Sequence, residues 1–253
     1  MRQRKSFSCP PTFRRANKSR FDGKIISVKI VEEGDVANRT FHLHADLLMR
    51  HSKFFKAMLK SDKWKEASEE TVLLKDTCIE AFDLFRRFIY TGSIFSIGDE
   101  TDESADEDGD AYVVGLDDES ARLVDCWKLG EQLMSTSFKD ATTDAIIAKT
   151  ISSSTYSLEL PNALYKASQK NSKIRRMLID IVIWKWSESA MEEWEDQEDK
   201  SAEFFYDVAK ELHMMWKVDV SKADAFPPLE DENTCSYHEH EEEEGVTCYK
   251  HMF

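Results

Sequence analysis

The chain has 253 residues, 41% of them hydrophobic, which is enough for one large domain or two small ones with a buried core. Its formal net charge of -15 argues against nucleic acid as the main partner, because phosphate binding needs a clustered positive surface. That charge is segregated. Residues 1–20 hold Arg2, Arg4, Lys5, Arg14, Arg15, Lys18 and Arg20 and no acid, whereas 99–119 are acid-rich and hold no Lys or Arg. Such blocks predict a basic disordered arm at 1–20 and an acidic disordered insertion at 98–120.

The opening residues have the charge of a secretory signal but not its apolar stretch, and no apolar run approaches the ~20 residues that span a bilayer. Five cysteines (9, 78, 126, 235 and 248) stand at irregular spacing. Reduced thiols are therefore expected, in the cytoplasm and/or the nucleus, with no membrane partner.

Ile25–Val31 alternates through Ile26, Val28 and Ile30, and Arg39–His44 alternates through Phe41 and Leu43, so an antiparallel hairpin is expected. The apolar period then lengthens. Leu47, Leu48, Phe54, Phe55, Met58 and Leu59 predict two short helices, with Ser52 as the N-cap between them. Thr71–Asp76 reads as a third strand. Thr77-Cys78-Ile79-Glu80 has capping-box spacing, so a helix is expected there, with Phe82, Phe85, Phe88 and Ile89 inward and Thr91-Gly92 at its end.

Beyond the acidic stretch the periodicity is helical throughout. Leu123, Trp127, Leu133 and Met134 mark one helix, and Phe138, Ala141, Ala145 and Ile146 mark the next. Pro161 opens another, Ile174 to Trp186 forms a longer apolar face, and Phe204, Phe205, Val208 and Leu212 form the last. The Trp184, Met191 and Trp194 group is expected in the core, the alternative being an exposed partner groove. The class is α+β followed by an all-α extension.

Phe41–Ile94 resembles a BTB/POZ domain: Phe41, His44, Leu48, Ser52 to Phe55, Glu66, Val72 to Leu74 and Tyr90-Thr91-Gly92 match its pattern in order, and Asp22 fits its usual leading acid. Leu123–Ile146 is similar to the closing helix pair of that domain, and the helical remainder resembles the extensions of fungal BTB-only proteins. The resemblance implies a small, mostly antiparallel sheet flanked by helices. It divides the chain into a core at 21–97, the insertion at 98–120, closing helices at 121–150, a helical extension at 151–225 and an acidic Cys/His tail at 226–253.

What the resemblance implies about function is a protein-interaction module and not an enzyme, forming a homodimer or hetero-oligomer, with Phe41 and His44 in the partner-binding region. It also implies a substrate-adaptor role for a cullin ubiquitin ligase. Cullin-binding relatives carry a hydrophobic-x-Glu element before the third strand, where this chain has Trp64-Lys65-Glu66: Trp64 as an aromatic anchor and Glu66 as a charged contact. Ala45 and Asp46 stand where members with a charged dimer groove carry a basic residue, which argues against corepressor recruitment by that route. The alternative is a nuclear regulatory or scaffolding protein without a ligase role.

No catalytic motif is present: there is no Gly-rich phosphate loop, HExxH or GxSxG, and Cys78 and Cys126 read as small core residues. No cofactor is required by this reading. The tail leaves one open question. Cys235-x-x-His238 and Cys248-x-x-His251 have ligand types suited to Zn²⁺, with His240 as a spare. The intervening stretch is glutamate-rich and poor in core-forming residues, so a flexible acidic tail is the expectation and a zinc-binding regulatory tail the alternative, with a tail ordered by docking on the helical extension as the intermediate case.

Overall fold

The computed structural model describes residues 23–32, 34, 37–61, 71–96, 112–113, 117–152, 156–195, 201–217, 234–242 and 247–253. The basic arm, Asp22, the Trp64–Glu66 element, most of the acidic insertion and Pro227-Pro228 lie outside these residues.

Strand β1 (Ile25–Val31) buries Ile26, Val28 and Ile30 and leaves Ile25 exposed, as its alternation requires. It pairs antiparallel with β2 (Asn38–His44), Val28 opposite Phe41 and Ile26 opposite Leu43. Strand β3 (Thr71–Lys75) pairs with β1 in parallel, so the order is β2-β1-β3 and the sheet is mixed. The parallel pair follows from the connection. A chain returning to the same edge direction needs a crossover, and helices α1 (Ala45–His51) and α2 (Lys53–Lys60) supply it.

The break between those helices is set by Ser52. Its Oγ accepts from Phe55 N at 3.1 Å and donates to Leu133 O at 2.7 Å. Lys53 N and Phe54 N donate to Met134 O and Leu133 O, each at 3.3 Å. Unpaired donors opening one helix thus meet unpaired acceptors closing another.

Helix α3 (Ile79–Thr91) buries Phe82, Phe85, Phe88 and Ile89 and ends on Gly92 at φ 79°, a left-handed cap open to glycine. The expected capping box does not form. Thr77 Oγ1 donates to Lys75 O, and Ile79 N finds its acceptor in Glu32 Oε1, at 3.0 Å. A carboxylate from the β1 end, remote in sequence, does the work assigned to Thr77.

The closing pair is α4 (Asp118–Gln132) and α5 (Thr136–Ser152). One set of its residues (Cys126, Leu129, Leu133, Phe138, Ala141) joins the core of the sheet and α1–α3. Another (Leu123, Val124, Trp127, Ile146, Ile147) joins a second core with the extension. The pair is thus a shared wall between the two cores. The extension comprises α6 (Leu160–Ala167), α7 (Lys173–Lys185), α8 (Glu188–Glu195) and α9 (Ala202–Lys217). Trp194 is fully buried there, against Trp186 and Phe204, whereas Trp184 is half-buried and Met191 exposed.

The far end of the expected acidic insertion is structured. Tyr112–Val113 (β4) pairs in parallel with Tyr156–Ser157 (β5), and α4 starts at Asp118, inside the predicted insertion. Its acids suit a helix N-terminus: Asp117 caps Ser120 N at 2.9 Å and accepts from Lys149 Nζ at 2.6 Å. Burial works to raise the Asp117 carboxyl, but Lys149 and the Ser120 bonds outweigh it and the pKa falls below the usual value of 3.8. A carboxyl lowered by folding stabilises above its unfolded pKa and loses that contribution as pH falls through its folded pKa. Asp117→Ala is therefore expected to cost about 1 kcal/mol at pH 7. Urea titrations at pH 7 and pH 3 are expected to show the difference between variant and wild type shrinking at the lower pH.

Candidate metal centre

The tail is not loose on this fold. Its three short 3-10 turns, η1 (Thr234–Tyr237), η2 (Glu239–Glu242) and η3 (Tyr249–His251), lie mainly against α5, and η1 also touches α7. Helix α5 explains the arrangement. Lys139, Asp140, Thr142 and Thr143 are all buried polar residues on it. The two threonines return their hydroxyls to the carbonyls of Phe138 and Lys139, four residues back. Asp140 and Asp144 stand one turn apart, so both carboxylates reach the same strip of helix surface. A buried carboxylate needs partners, and here the tail provides them.

Asp140 accepts from Glu239 N at 2.8 Å through Oδ1 and from His240 Nδ1 at 2.8 Å through Oδ2. Asp144 Oδ1 takes His238 Nε2 at 2.9 Å and the Thr234 hydroxyl, while Oδ2 takes Tyr249 OH at 2.5 Å and Lys250 Nζ at 2.9 Å. Burial of Asp144 would raise its pKa. The bonds from His238, Thr234 and Tyr249 more than reverse that and hold it far below the usual carboxylate range. Nearby, Lys139 spans Glu131 and the tail's Glu239, with its stem packed on Gly130, where a Cβ would lie 2.5 Å from Lys139 Cγ. A side chain at position 130 would displace this bridge. On the opposite side Tyr237, buried, donates to Asp180 Oδ2 of α7 at 2.7 Å.

These contacts bring Cys235, His238, His240 and Cys248 together, with one donor atom from each lying within 4.8 Å of all the others. The Cys235 and Cys248 sulfurs are 4.0 Å apart, and Cys248 Sγ is 3.9 Å from His238 Nδ1. Donors around a tetrahedral Zn²⁺ stand about 3.4–3.8 Å apart, so the four would close with shifts on the order of 1 Å. The second layer fits as well. Each histidine gives one ring nitrogen to a carboxylate and keeps the other for the centre, an arrangement that orients imidazole ligands and raises their basicity. The Cys235 thiol is pushed up to about 11 by burial and by the neighbouring Cys248, so a pair of thiolates here needs a cation to compensate it.

Two expectations about the tail change. The flexible tail gives way, among the described residues, to a docked one. The ligand set also differs from the two CxxH pairs. His251 is exposed, its N–H closing the 3-10 turn on Cys248 O, and it stands outside the group that His240 completes. The usable signal was elsewhere: His238-x-His240 in the tail and Asp140-x-x-x-Asp144 in a helix read only for its apolar face.

The other predicted site residues are distributed differently. Phe41 is a core residue, 5% exposed, its ring 5.1 Å from Phe82; it is buried because β2 turns it toward α3. His44 is half-buried, its Nδ1 2.7 Å from Tyr90 OH. Both therefore belong to the interior of the protomer and its immediate rim. Trp64 and Glu66 lie outside the described residues. Cys126 is fully buried and Cys78 half-buried, and burial raises the pKa of both thiols.

The described residues form a small sheet wrapped by helices, with a carboxylate-backed Cys/His cluster docked on α5. Residues 17–107 match the family model of the BTB/POZ domain, and the chain carries that domain as a protein–protein interaction module. No curated protein matched the chain. None of the described helices is long and apolar enough to cross a membrane.

Proposed function

We propose that the chain is a self-associating BTB/POZ adaptor whose tail is fastened by one zinc ion. The observation supporting self-association is the outer side of α1 and α2. Met49, Phe54, Met58 and Leu59 are only half-covered there, although they pack on the domain core. These partly covered apolar residues suit a two-fold interface in which the α1–α2 surfaces of two copies meet, with the exposed Arg50, Lys53 and Lys56 left at its rim. Met58→Asp is expected to raise the dimer dissociation constant at least tenfold, which is about 1.4 kcal/mol. Sedimentation velocity checks it, and an unchanged constant rejects this surface as the interface.

The adaptor role rests on Trp64-Lys65-Glu66, which follows the end of α2 at Lys60. The partner is a cullin scaffold: Trp64 fills an apolar pocket and Glu66 meets a basic group. A pull-down with purified cullin is expected to capture the wild type and to lose at least tenfold on Glu66→Lys. Absence of wild-type capture rejects the adaptor role and leaves a regulatory or scaffolding BTB protein.

The zinc assignment rests on the four clustered donors and on the two carboxylates that back the histidines. The ion is structural, since all four positions are protein ligands and none is left for a substrate. Such a centre requires reduced thiols, in keeping with a place of action in the cytoplasm or nucleus.

A further inference from the structure

Beyond Cys248 the tail leaves the cluster and crosses onto the BTB domain. Tyr249, held by Asp144, sets its ring 6.0 Å from Phe88. Phe253 then stacks on His51, with centroids 5.1 Å apart and planes 15° apart, and meets Phe88 edge-on at 5.5 Å. His51 is positioned by Phe88 at 5.6 Å and by Ser137 Oγ, 3.3 Å from its Nδ1. Gly92 completes the seat. A Cβ there would lie 2.6 Å from Phe253 Cδ2, so the left-handed cap of α3 also leaves room for the ring.

The seat is therefore built from three elements of the domain and filled by the tail. A cavity of about 310 Å³ adjoins it, lined by Met49, Arg50, Lys53, Lys56 and Met252 among others. This cavity connects the seat to the α1–α2 surface. The tail is held by bonds to Lys139, Asp140, Asp144 and Asp180, and the four donors of the cluster lie among those contacts. Short 3-10 turns have poor intrinsic stability, and the apolar anchors beyond the cluster are Tyr249 and Phe253.

We propose that the Cys235/His238/His240/Cys248 centre is a latch. With metal bound, Phe253 closes an aromatic seat formed by His51, Phe88 and Gly92. With metal removed, the tail lifts and the seat opens to the 247–253 segment of a second copy of this chain. This rests on the zinc reading above, and Phe253 of this chain is the resident occupant.

Hydrogen exchange on the reduced full-length protein tests the latch, with zinc content measured on each sample. Relative to the zinc-loaded wild type, chelation is expected to speed exchange at 88–92 and 249–253 at least tenfold, while β1 is unchanged. Phe253→Ala is expected to keep its zinc and the protection of 234–240, yet to speed exchange at 88–92. A fluorescent peptide with the sequence of residues 247–253 is expected to bind Phe253→Ala at least tenfold tighter than zinc-loaded wild type. The latch is overturned if chelation leaves 88–92 unchanged, or if β1 opens equally, which would make the metal a requirement of the whole fold. Equal peptide binding by the two proteins, or binding by neither, overturns the docking surface. If the wild type holds no zinc, the metal reading itself fails, and the Phe253→Ala comparison still reports separately on the seat.

Discussion

His240→Ala is expected to abolish stoichiometric zinc binding, whereas His251→Ala is expected to leave it intact. The contrast separates the folded arrangement from the two CxxH pairs, which place His251 in the centre and leave His240 out. His240 belongs because Asp140, buried on α5, holds its Nδ1 at 2.8 Å and so presents the other ring nitrogen to Cys235, Cys248 and His238. His251 is exposed and lies outside that group. A colorimetric zinc titration in reducing buffer checks both. Asp144→Ala provides a graded case. Removing a carboxylate behind a ligating histidine typically lowers affinity 10–100-fold, and Asp144 also collects Thr234, Tyr249 and Lys250. Loss of binding in His251→Ala with retention in His240→Ala would reverse the assignment.

The second large effect concerns the joint between the BTB sheet and the closing pair. Phe138 is fully buried on α5, its ring 5.1 Å from Phe85 and 5.4 Å from Phe88. Phe138→Ala is expected to destabilise by about 3–5 kcal/mol, as the lost transfer free energy adds to the cavity left in a core built of rings. In thermal unfolding this corresponds to a fall of roughly 6–20 °C. The exposed Tyr206→Ala on α9 provides the reference, with an expected change below about 0.5 kcal/mol. Similar melting temperatures for the two variants would mean that α5 carries little of the domain's stability.

Much of the BTB fold could be read from the sequence because period and capping agree there. The alternation in Ile25–Val31, the Ser52 cap and the Phe82/Phe85/Phe88 stripe each specify local structure that tertiary packing then confirms. The misses share one cause. The acceptor for Ile79 N comes from Glu32, 47 residues away, and the carboxylates that order the tail come from α5, roughly 100 residues before their histidines. Neither leaves a periodic trace. Phe41 also shows how a family motif residue can be a packing residue: its position in the pattern reflects the ring it places on Phe82. The tail's own composition is that of a solvated segment. What holds it is a set of buried polar groups on another helix, and such groups require partners whatever the tail's intrinsic preference.

Native mass spectrometry of the reduced, tag-free, full-length protein tests the central claim most directly, because one spectrum reports both assembly and metal. The expected species is a dimer carrying two zinc ions, one for each Cys235/His238/His240/Cys248 centre, with acid or chelator releasing both. A monomer whose mass is that of the bare polypeptide, at protein concentrations well above the micromolar range, would contradict both the self-associating module and the metal that fastens its tail.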